Sequence, residues 1–291
     1  MRRITTSSAL LLAGMSALAM GAAQNAGATT LINDQFSGTS GTNLSGNQPD
    51  TTNLAGNTWV QYGTTSNNGG NPITPNSTDA ITYGGSNSAA FPLYSGSGAY
   101  AEIGAAINFN ADTSPTGGLL TVSGTLDALN NGSEWMALGM GPSNPTNNYG
   151  PWTGGPWVLV KHTGEVQFFA TGGTGHLVVD DTTAENTTGT HSIQISYNPT
   201  TTTASLSVDG TAVTGGTYTY GGTNAAAPAS FGSVFIDNRY KFAYSPVAGA
   251  SNYGTFGNVV VTGTPTPEPM TLAIFAAGAM GLSLLRRKRA S

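Results

Sequence analysis

HSIQISYNPTTTTASLSVDG, residues 191–210, is the stretch that decides the fold class of this chain. Apolar and polar residues alternate in both halves, which is the period of a half-buried β-strand. The apolar faces are Ile193, Ile195 and Tyr197, then Ala204, Leu206 and Val208. Asn198-Pro199 begins a turn between the halves, and Asp209-Gly210 is a two-residue hairpin turn because its backbone needs positive φ. The stretch therefore predicts three consecutive antiparallel strands.

The same alternation recurs on both sides of this stretch, between residues 31 and 262, and no convincing helical period accompanies it. Further strands are predicted at Thr58–Tyr62, Ala99–Phe109, Gly118–Leu126, Glu134–Met140, Pro156–Lys161, Glu165–Ala170, His176–Asp180, Phe231–Ile236 and Thr255–Thr262. Many short strands without helices favour an all-β fold, a single two-sheet antiparallel β-sandwich or jelly roll. The sequence shows no fixed-period repeat and no second linker, so one domain is expected.

Composition limits the possible functions. The chain has 291 residues and no cysteine, which excludes disulfides and thiolate metal sites. Only 8% of the residues are charged, but 10 Phe, 11 Tyr and 4 Trp indicate a folded core rather than disorder. Between residues 29 and 263 the chain has three basic and thirteen acidic residues. Such a surface cannot neutralise phosphates, so nucleic acid is not an expected partner.

The first 28 residues have the pattern of a secretory signal peptide. MRRITTSS supplies a positive start, Ala9–Met20 is apolar, and Ala26-Gly27-Ala28 fits the cleavage rule. Signal peptidase is therefore an expected partner, with cleavage after Ala28 and export of the chain from the cytoplasm. The alternative is an uncleaved anchor, for which the apolar run is short.

The last residues, 264–291, have three parts in a fixed order. Pro265, Pro267 and Pro269 keep the chain extended, and residues 270–285 are uncharged and mostly apolar. This run predicts a short transmembrane helix that anchors the protein transiently in the membrane. The basic cluster Arg286, Arg287, Lys288 and Arg289 would stay on the cytoplasmic side.

Pro267-Glu268-Pro269, the apolar run and the terminal basic cluster together resemble a PEP-CTERM sorting signal. The resemblance implies a Gram-negative bacterium that makes exopolysaccharide, and an exosortase that cuts near this motif. The protein would then reach the cell surface or the extracellular biofilm matrix. An ordinary tail anchor is the alternative. The expected organisation is a signal peptide at 1–28, a β-sandwich domain at 29–263 and a sorting signal at 264–291.

The body resembles concanavalin-A-like (laminin-G-like) jelly rolls. The matching stretches are Asp34–Thr39, Asn43–Asp50, Gly56–Trp59, the hairpin that ends in Val208-Asp209-Gly210, and the closing strand Gly254–Val261. Proteins of this fold often hold a structural calcium between the first and last strands, so the resemblance makes Asp34 and Asp237 candidate calcium ligands. The chain has Gly257-Asn258 where the family often has Asp-Asn. Turn capping explains the same aspartates more simply.

The catalytic motif of β-glucan-cutting members of this fold, Glu-x-Asp-x-x-Glu on one strand, is absent from this sequence. The glutamates that stand alone are Glu102, Glu134, Glu165 and Glu185, and we expect isolated solvated carboxylates. The histidines His162, His176 and His191 lack metal-ligand spacing. We therefore expect a protein that is not an enzyme.

The stretch NNYGPWTGGPW, residues 147–157, places aromatic residues among glycine and proline. Rings in loops on a rigid scaffold often bind ligands, and flat rings stack on sugars, so Tyr149 and Trp152 are the candidate carbohydrate-binding residues. Trp157 begins an apolar run and is expected in the core, as are Trp59 and Trp135.

These patterns predict a secreted, non-catalytic β-sandwich, sorted by an exosortase, that binds exopolysaccharide. The first alternative is a glycoside hydrolase or polysaccharide lyase on the same fold, which requires two carboxyl groups facing one cleft. The second is a structural matrix protein without a specific ligand.

Overall fold

The computed structural model describes residues 27–65, 71–72, 80–92, 100–115, 117–127, 133–142, 154–161, 163–171, 177–181, 189–228, 230–241 and 254–265. Within these ranges the chain forms 17 strands and no α-helix. The strands build two antiparallel sheets, so the expected jelly-roll sandwich is confirmed.

The first sheet contains nine strands. They are β1 (Thr29–Asp34), β2 (Thr51–Thr52), β5 (Thr82–Gly84), β6 (Ser88–Phe91), β8 (Leu120–Asp127), β13 (Thr190–Asn198), β14 (Thr203–Val208), β15 (Thr211–Thr219) and β17 (Gly254–Gly263). Seven of them follow the order β15-β14-β13-β8-β17-β1-β2, and the β5–β6 hairpin joins through β17.

The second sheet contains eight strands in the order β12-β11-β10-β9-β16-β7-β3-β4. They are β3 (Val60–Thr65), β4 (Asn71–Pro72), β7 (Tyr100–Asn108), β9 (Ser133–Gly141), β10 (Trp157–Val160), β11 (Val166–Phe169), β12 (Leu177–Asp181) and β16 (Ser233–Lys241). Strands β9 to β12 are neighbours in sequence as well as in the sheet, but β16 lies between β9 and β7, so residues far apart in sequence share one face.

The hairpin at residues 191–210 has the expected structure. Strands β13 and β14 pair in continuous register from Ile193↔Val208 to Asn198↔Thr203. Asp209 and Gly210 have φ of 50° and 76°, the left-handed conformation that a two-residue hairpin turn needs. Strand β15 then pairs with β14, and the prediction of three consecutive strands is confirmed.

The main core lies between the sheets and is built from the inward residues of both. Val122 on β8 and Val261 on β17 face Leu138 on β9 and Ile236 on β16, and all four are fully buried. Burying such a side chain contributes roughly 1.5–3 kcal/mol. Trp59 lies in this core, as predicted.

Strands β1 and β17 pair from Thr29↔Gly263 to Asp34↔Val259, which holds the two ends of the sandwich together. Among the residues that the structure describes, no helix is long and apolar enough to cross a membrane. The segments predicted for export and sorting, Ala26 with the residues before it and residues 266–291, lie outside the described residues.

Candidate active site

The outer face of the second sheet is buried at its centre. In β10 all four residues are buried, although alternate residues point to opposite faces. The outward residues form a second hydrophobic cluster, separate from the core between the sheets. We call four of its members the aromatic cluster: Trp135, Trp157, Phe169 and Phe235.

The register of the sheet sorts the outward residues into rows. One row crosses β3, β7, β16, β9 and β10 as Tyr62, Gly104, Asp237, Ala137 and Leu159. The next row has Glu102 on β7, Arg239 on β16 and Trp135 on β9. Ionisable side chains therefore lie on β7 and β16, which are central strands with a neighbouring strand on each side.

Glu102 and Asp237 form a carboxyl pair, which we call the acid pair. Their side chains are 4% and 1% exposed. Glu102 lies opposite Arg239 and Asp237 lies opposite Gly104, so the two acids are diagonal neighbours on adjacent strands. Diagonal positions of this kind are separated by about 7–8 Å.

Tyr62 reaches across β7 to the acid pair. Its ring lies over Gly104, where an added Cβ would be 2.3 Å from the end of the ring. Its hydroxyl donates a 2.9 Å hydrogen bond to Oδ2 of Asp237. Burial raises the pKa of Tyr62 well above its usual value, and the charges of Asp237 and Glu102 raise this pKa further. The phenol therefore remains a hydrogen-bond donor close to both carboxyl groups.

The carboxyl group of Asp237 has a strongly raised pKa. Burial raises its pKa to about 8, against the lowering effects of the Tyr62 hydroxyl, the Asn238 backbone N–H and the Arg239 charge. Its Oδ1 is buried and accepts no hydrogen bond from any described residue. Asp237 therefore holds its proton through the neutral range, while a hydrogen-bonded tyrosine fixes its other oxygen.

The aromatic cluster borders the acid pair. Trp135 lies directly opposite Arg239 in the register. Trp157 stacks on Phe169, with ring centroids 4.2 Å apart and planes at 10°. The rings can approach the sheet because Gly139 lies beneath them, where a Cβ would be 2.4 Å from the Phe235 ring. Flat aromatic surface and a proton-donating carboxyl group thus share one face.

One sequence prediction about this face is wrong and another is confirmed. Glu102 was expected to be isolated and solvated, but it is buried beside Asp237 because β7 and β16 are sheet neighbours. Trp135 and Trp157 were expected in the core, and both are buried in a hydrophobic core cluster. That cluster lies on the outer face of the sheet, because the two residues have the opposite parity to Met136 and Val158.

The other candidates lie elsewhere. Tyr149 and Trp152 lie outside the described residues, as do His162, His176, Glu185 and the side chain of Glu134. Glu165 forms an ion pair with Lys161. His191 contacts Oδ2 of Asp209 through Nδ1 at 2.9 Å.

The calcium candidates are not brought together. Asp34 lies in the first sheet and Asp237 on the outer face of the second. Oδ2 of Asp34 accepts a 2.6 Å hydrogen bond from Trp59 Nε1, and Oδ1 accepts one of 2.7 Å from the Phe36 N–H. Asp34 thus has the capping role that was the alternative. In the described part of the chain, no three His, Cys, Asp or Glu side chains group as metal ligands.

One feature of the sequence marks Glu102 and Asp237 individually as unusual. Glu102 follows Ala101 and precedes Ile103, and Asp237 follows Ile236, so each acid interrupts a run of strand-forming residues. Isolated acids in a central strand are costly unless they serve a purpose. The sequence could not show that these two strands are adjacent.

No family model matches this chain, and no curated protein matches its sequence. Solved structures do match. An endo-1,3-beta-glucanase from Streptomyces sioyaensis is 18% identical, with 82% of this chain and 98% of that chain covered and a TM-score of 0.50. A glycosyl hydrolase family protein from Mycobacterium fortuitum is 14% identical, with 80% and 99% covered and a TM-score of 0.49. The carbohydrate recognition domain of Emp46p is 9% identical, with 60% and 82% covered and a TM-score of 0.42. The first likeness shows the concanavalin-A-like fold.

The expectation that the chain is not an enzyme is contradicted. The solved structure that carries this correction is the Streptomyces endo-1,3-beta-glucanase, which this chain matches over 98% of that chain's length. The reason for the expectation also fails, because it considered acids on a single strand. The structure supplies two buried acids from neighbouring strands, Glu102 and Asp237.

Proposed function

We propose that this chain is a glycoside hydrolase that acts through Glu102 and Asp237. The observation that carries the proposal is the acid pair itself: two buried carboxyl groups on adjacent strands, with the hydroxyl of Tyr62 bound to one of them. Most glycoside hydrolases use two carboxyl groups on either side of the scissile bond. The Streptomyces neighbour is an endo-1,3-beta-glucanase on the same fold, and β-glucan is accordingly the first substrate to test.

The two acids are suited to different roles. Asp237 keeps its proton to about pH 8, so it is the general acid that protonates the departing sugar oxygen. Its Oδ1, which is buried and accepts no hydrogen bond from the described residues, is the oxygen that would donate to the substrate, because Oδ2 is held by Tyr62. Glu102, on the next strand, is the nucleophile or the base that activates water.

The distance between the two carboxyl groups determines whether hydrolysis retains or inverts the anomeric configuration of the sugar. Carboxyl groups about 5–5.5 Å apart retain the anomeric configuration, and those about 6.5–9.5 Å apart invert it. Diagonal strand positions lie about 7–8 Å apart, which favours inversion for side chains that point straight out of the sheet. The configuration of the first product therefore reports on how the two side chains are aimed.

The aromatic cluster supports a carbohydrate substrate. Trp135 lies in the same row as Glu102 and Arg239, and Trp157 stacks on Phe169 on the strands beyond it. A sugar ring has apolar C–H faces that pack against such rings. Because the acid pair is almost fully buried, a glycan can reach it only if neighbouring parts of the protein move. We expect slow hydrolysis of polymers and faster hydrolysis of short oligosaccharides.

The same proposal includes the route to the substrate. We propose that the signal peptide exports the chain and that an exosortase processes it at Pro267-Glu268-Pro269, so that it acts on exopolysaccharide at the cell surface or in the matrix. The order of the terminal segments in the sequence supports this part. Intact mass of the secreted protein tests it: loss of the first 28 residues and of the tail is expected, and a full-length mass would contradict it.

The experiment for the activity measures reducing ends released from soluble β-1,3-glucan and from its short oligosaccharides. The samples are the wild type, Glu102→Gln, Asp237→Asn and the control Asp180→Asn, whose side chain is exposed on β12. We expect each acid-pair variant to lose about 10²–10⁴-fold in kcat and the control to keep its rate. Binding without release of reducing ends, on these glucans and on the producer's own polysaccharide, would overturn the hydrolase and leave a carbohydrate-binding protein.

A further inference from the structure

A cavity lies on the outer face of the first sheet, on the opposite side of the sandwich from the acid pair. Its volume is about 290 Å³. Its polar lining consists of Ser86, Ser88, Thr125, Asp127, Thr190 and Thr255. Five hydroxyl groups and one carboxyl group thus face a single small space.

Three neighbouring strands and one hairpin build this cavity. Asp127 at the end of β8 pairs with Thr190 of β13 on one side and with Thr255 of β17 on the other. The turn of the β5–β6 hairpin supplies the fourth wall. In that turn Ser86 and Asn87 both have positive φ, 66° and 53°. Left-handed backbone is the usual conformation in tight hairpin turns, and here it holds the turn against the ends of the three strands.

The carboxyl group of Asp127 is incompletely satisfied. Oδ2 accepts a 3.3 Å hydrogen bond from the Thr190 hydroxyl, whereas Oδ1 is buried and accepts none from the described residues. Burial raises the pKa of Asp127, with the Thr190 hydrogen bond and the neighbouring His191 acting against it. A buried oxygen without a donor is destabilising. Asp127 lines the cavity, so a shift of its side chain would let a ligand hydroxyl donate to that oxygen and remove the cost.

The lining also indicates the class of ligand. No basic side chain is present among the described residues that line the cavity, so anions are not favoured. None of them is aromatic, and the side chain of Leu126 belongs to the core between the sheets. The cavity is at the small end of the range for ligand sites. A neutral molecule of one ring with several hydroxyl groups satisfies these conditions.

We propose that this cavity binds a single sugar residue, with Asp127 accepting hydrogen bonds from its hydroxyl groups and the serine and threonine hydroxyls completing the contacts. The site is independent of the acid pair, since the two lie on opposite outer faces of the sandwich. It would hold a glycan on the protein without cleaving it.

The test uses the full-length protein and methyl pyranosides of glucose, galactose and mannose as probes, measured by saturation-transfer NMR. The variants are Asp127→Asn and Thr255→Val, with Asp180→Asn and Asp237→Asn as controls. We expect at least one glycoside to bind the wild type with millimolar affinity. That binding should weaken at least tenfold in both cavity variants and remain in both controls.

Thermal unfolding checks that each variant is folded, and Thr255→Val keeps the test valid if Asp127→Asn fails to fold. Two outcomes would overturn the proposal: no glycoside binds the wild type at tens of millimolar, or binding survives both cavity variants. Loss of binding only in Asp237→Asn would also overturn the proposal. That result would place the sugar at the acid pair and would support the proposed function instead.

Discussion

The outer faces of the two sheets differ in chemistry although their inner faces build one core. On the first sheet, one row across β17, β8, β13, β14 and β15 consists of hydroxyl residues: Thr262, Thr121, Ser196, Ser205 and Thr217. All of them are at least partly exposed. On the second sheet, the corresponding face carries the buried aromatic cluster and the acid pair.

The two faces show how the environment of a polar side chain, exposed or buried, changes its behaviour. Hydroxyl groups in contact with water change little on folding. Carboxyl groups in a buried face lose their hydration, and their protonation then depends on the surrounding groups. Asp237 is the extreme case, with its pKa raised to about 8. The buried acid pair therefore lies on the outer face of the second sheet, whereas the outer face of the first sheet presents hydroxyl groups to water.

The largest expected effect is on the pH dependence of stability. Asp237 keeps its proton to about pH 8 in the folded protein, whereas the unfolded chain releases it near pH 3.8. The unfolding free energy should consequently fall as the pH rises from about 4 to 8. The slope is roughly 1.4 kcal/mol for each pH unit between the folded and unfolded pKa values, and the total fall is on the order of several kcal/mol.

Urea unfolding between pH 4 and 9 measures this effect. Burial also raises the pKa of Asp34 and Asp127, so part of the fall remains without Asp237. Asp237→Asn should remove most of the slope and Asp180→Asn should keep it. A wild type and an Asp237→Asn variant with the same slope would mean that Asp237 ionises normally.

The next effect comes from the contact between Tyr62 and Gly104. A methyl group at residue 104 would meet the end of the Tyr62 ring, so Gly104→Ala should destabilise the protein by about 1–3 kcal/mol. Gly85→Ala on the first sheet is the matched control, because no atom lies within 4 Å of its added Cβ. Urea midpoints compare the two. Equal midpoints would show that the Tyr62 ring does not lie over residue 104.

A smaller effect is expected for Tyr62→Phe. The substitution keeps the ring over Gly104 and removes the 2.9 Å hydrogen bond to Asp237. That bond lowers the pKa of Asp237, so its loss should move the titration to higher pH and cost about 1 kcal/mol of stability above pH 7. The midpoint of the stability curve in the variant provides the measurement; a shift to lower pH would contradict the assigned contact.

The smallest effect belongs to the hydroxyl face. Ser205→Ala and Thr217→Val each alter one member of the exposed row and should change the unfolding free energy by no more than about 0.5 kcal/mol. The same urea series measures them. A loss above about 1 kcal/mol in either variant would show that this face is not simply solvated, and the contrast between the two sheets would weaken.

The sequence predicted local structure better than it predicted the site. The alternation at Ile193–Tyr197 and the Asp209-Gly210 turn depend on neighbouring residues, so β13, β14 and their turn were predicted correctly. Short strands such as β2 and β5 have too few residues to show a period, and they were missed.

The acid pair depends on contacts of another kind. Glu102 and Asp237 are 135 positions apart along the chain, and their contact arises because β7 and β16 are neighbours in the sheet. Nothing local specifies that pairing. The same limit explains Trp135 and Trp157, whose burial was predicted from hydrophobicity while the face that they occupy depends on strand parity.

The role of Asp237 as the general acid is best tested by the pH–rate profile of the wild type and Asp237→Asn on a short β-1,3-glucan oligosaccharide. The account predicts that kcat/KM of the wild type declines on the basic side with a pKa near 8, and that Asp237→Asn loses both the rate and this limb of the profile. A wild-type rate that Asp237→Asn reproduces at every pH, or no hydrolysis between pH 4 and 9, would contradict it.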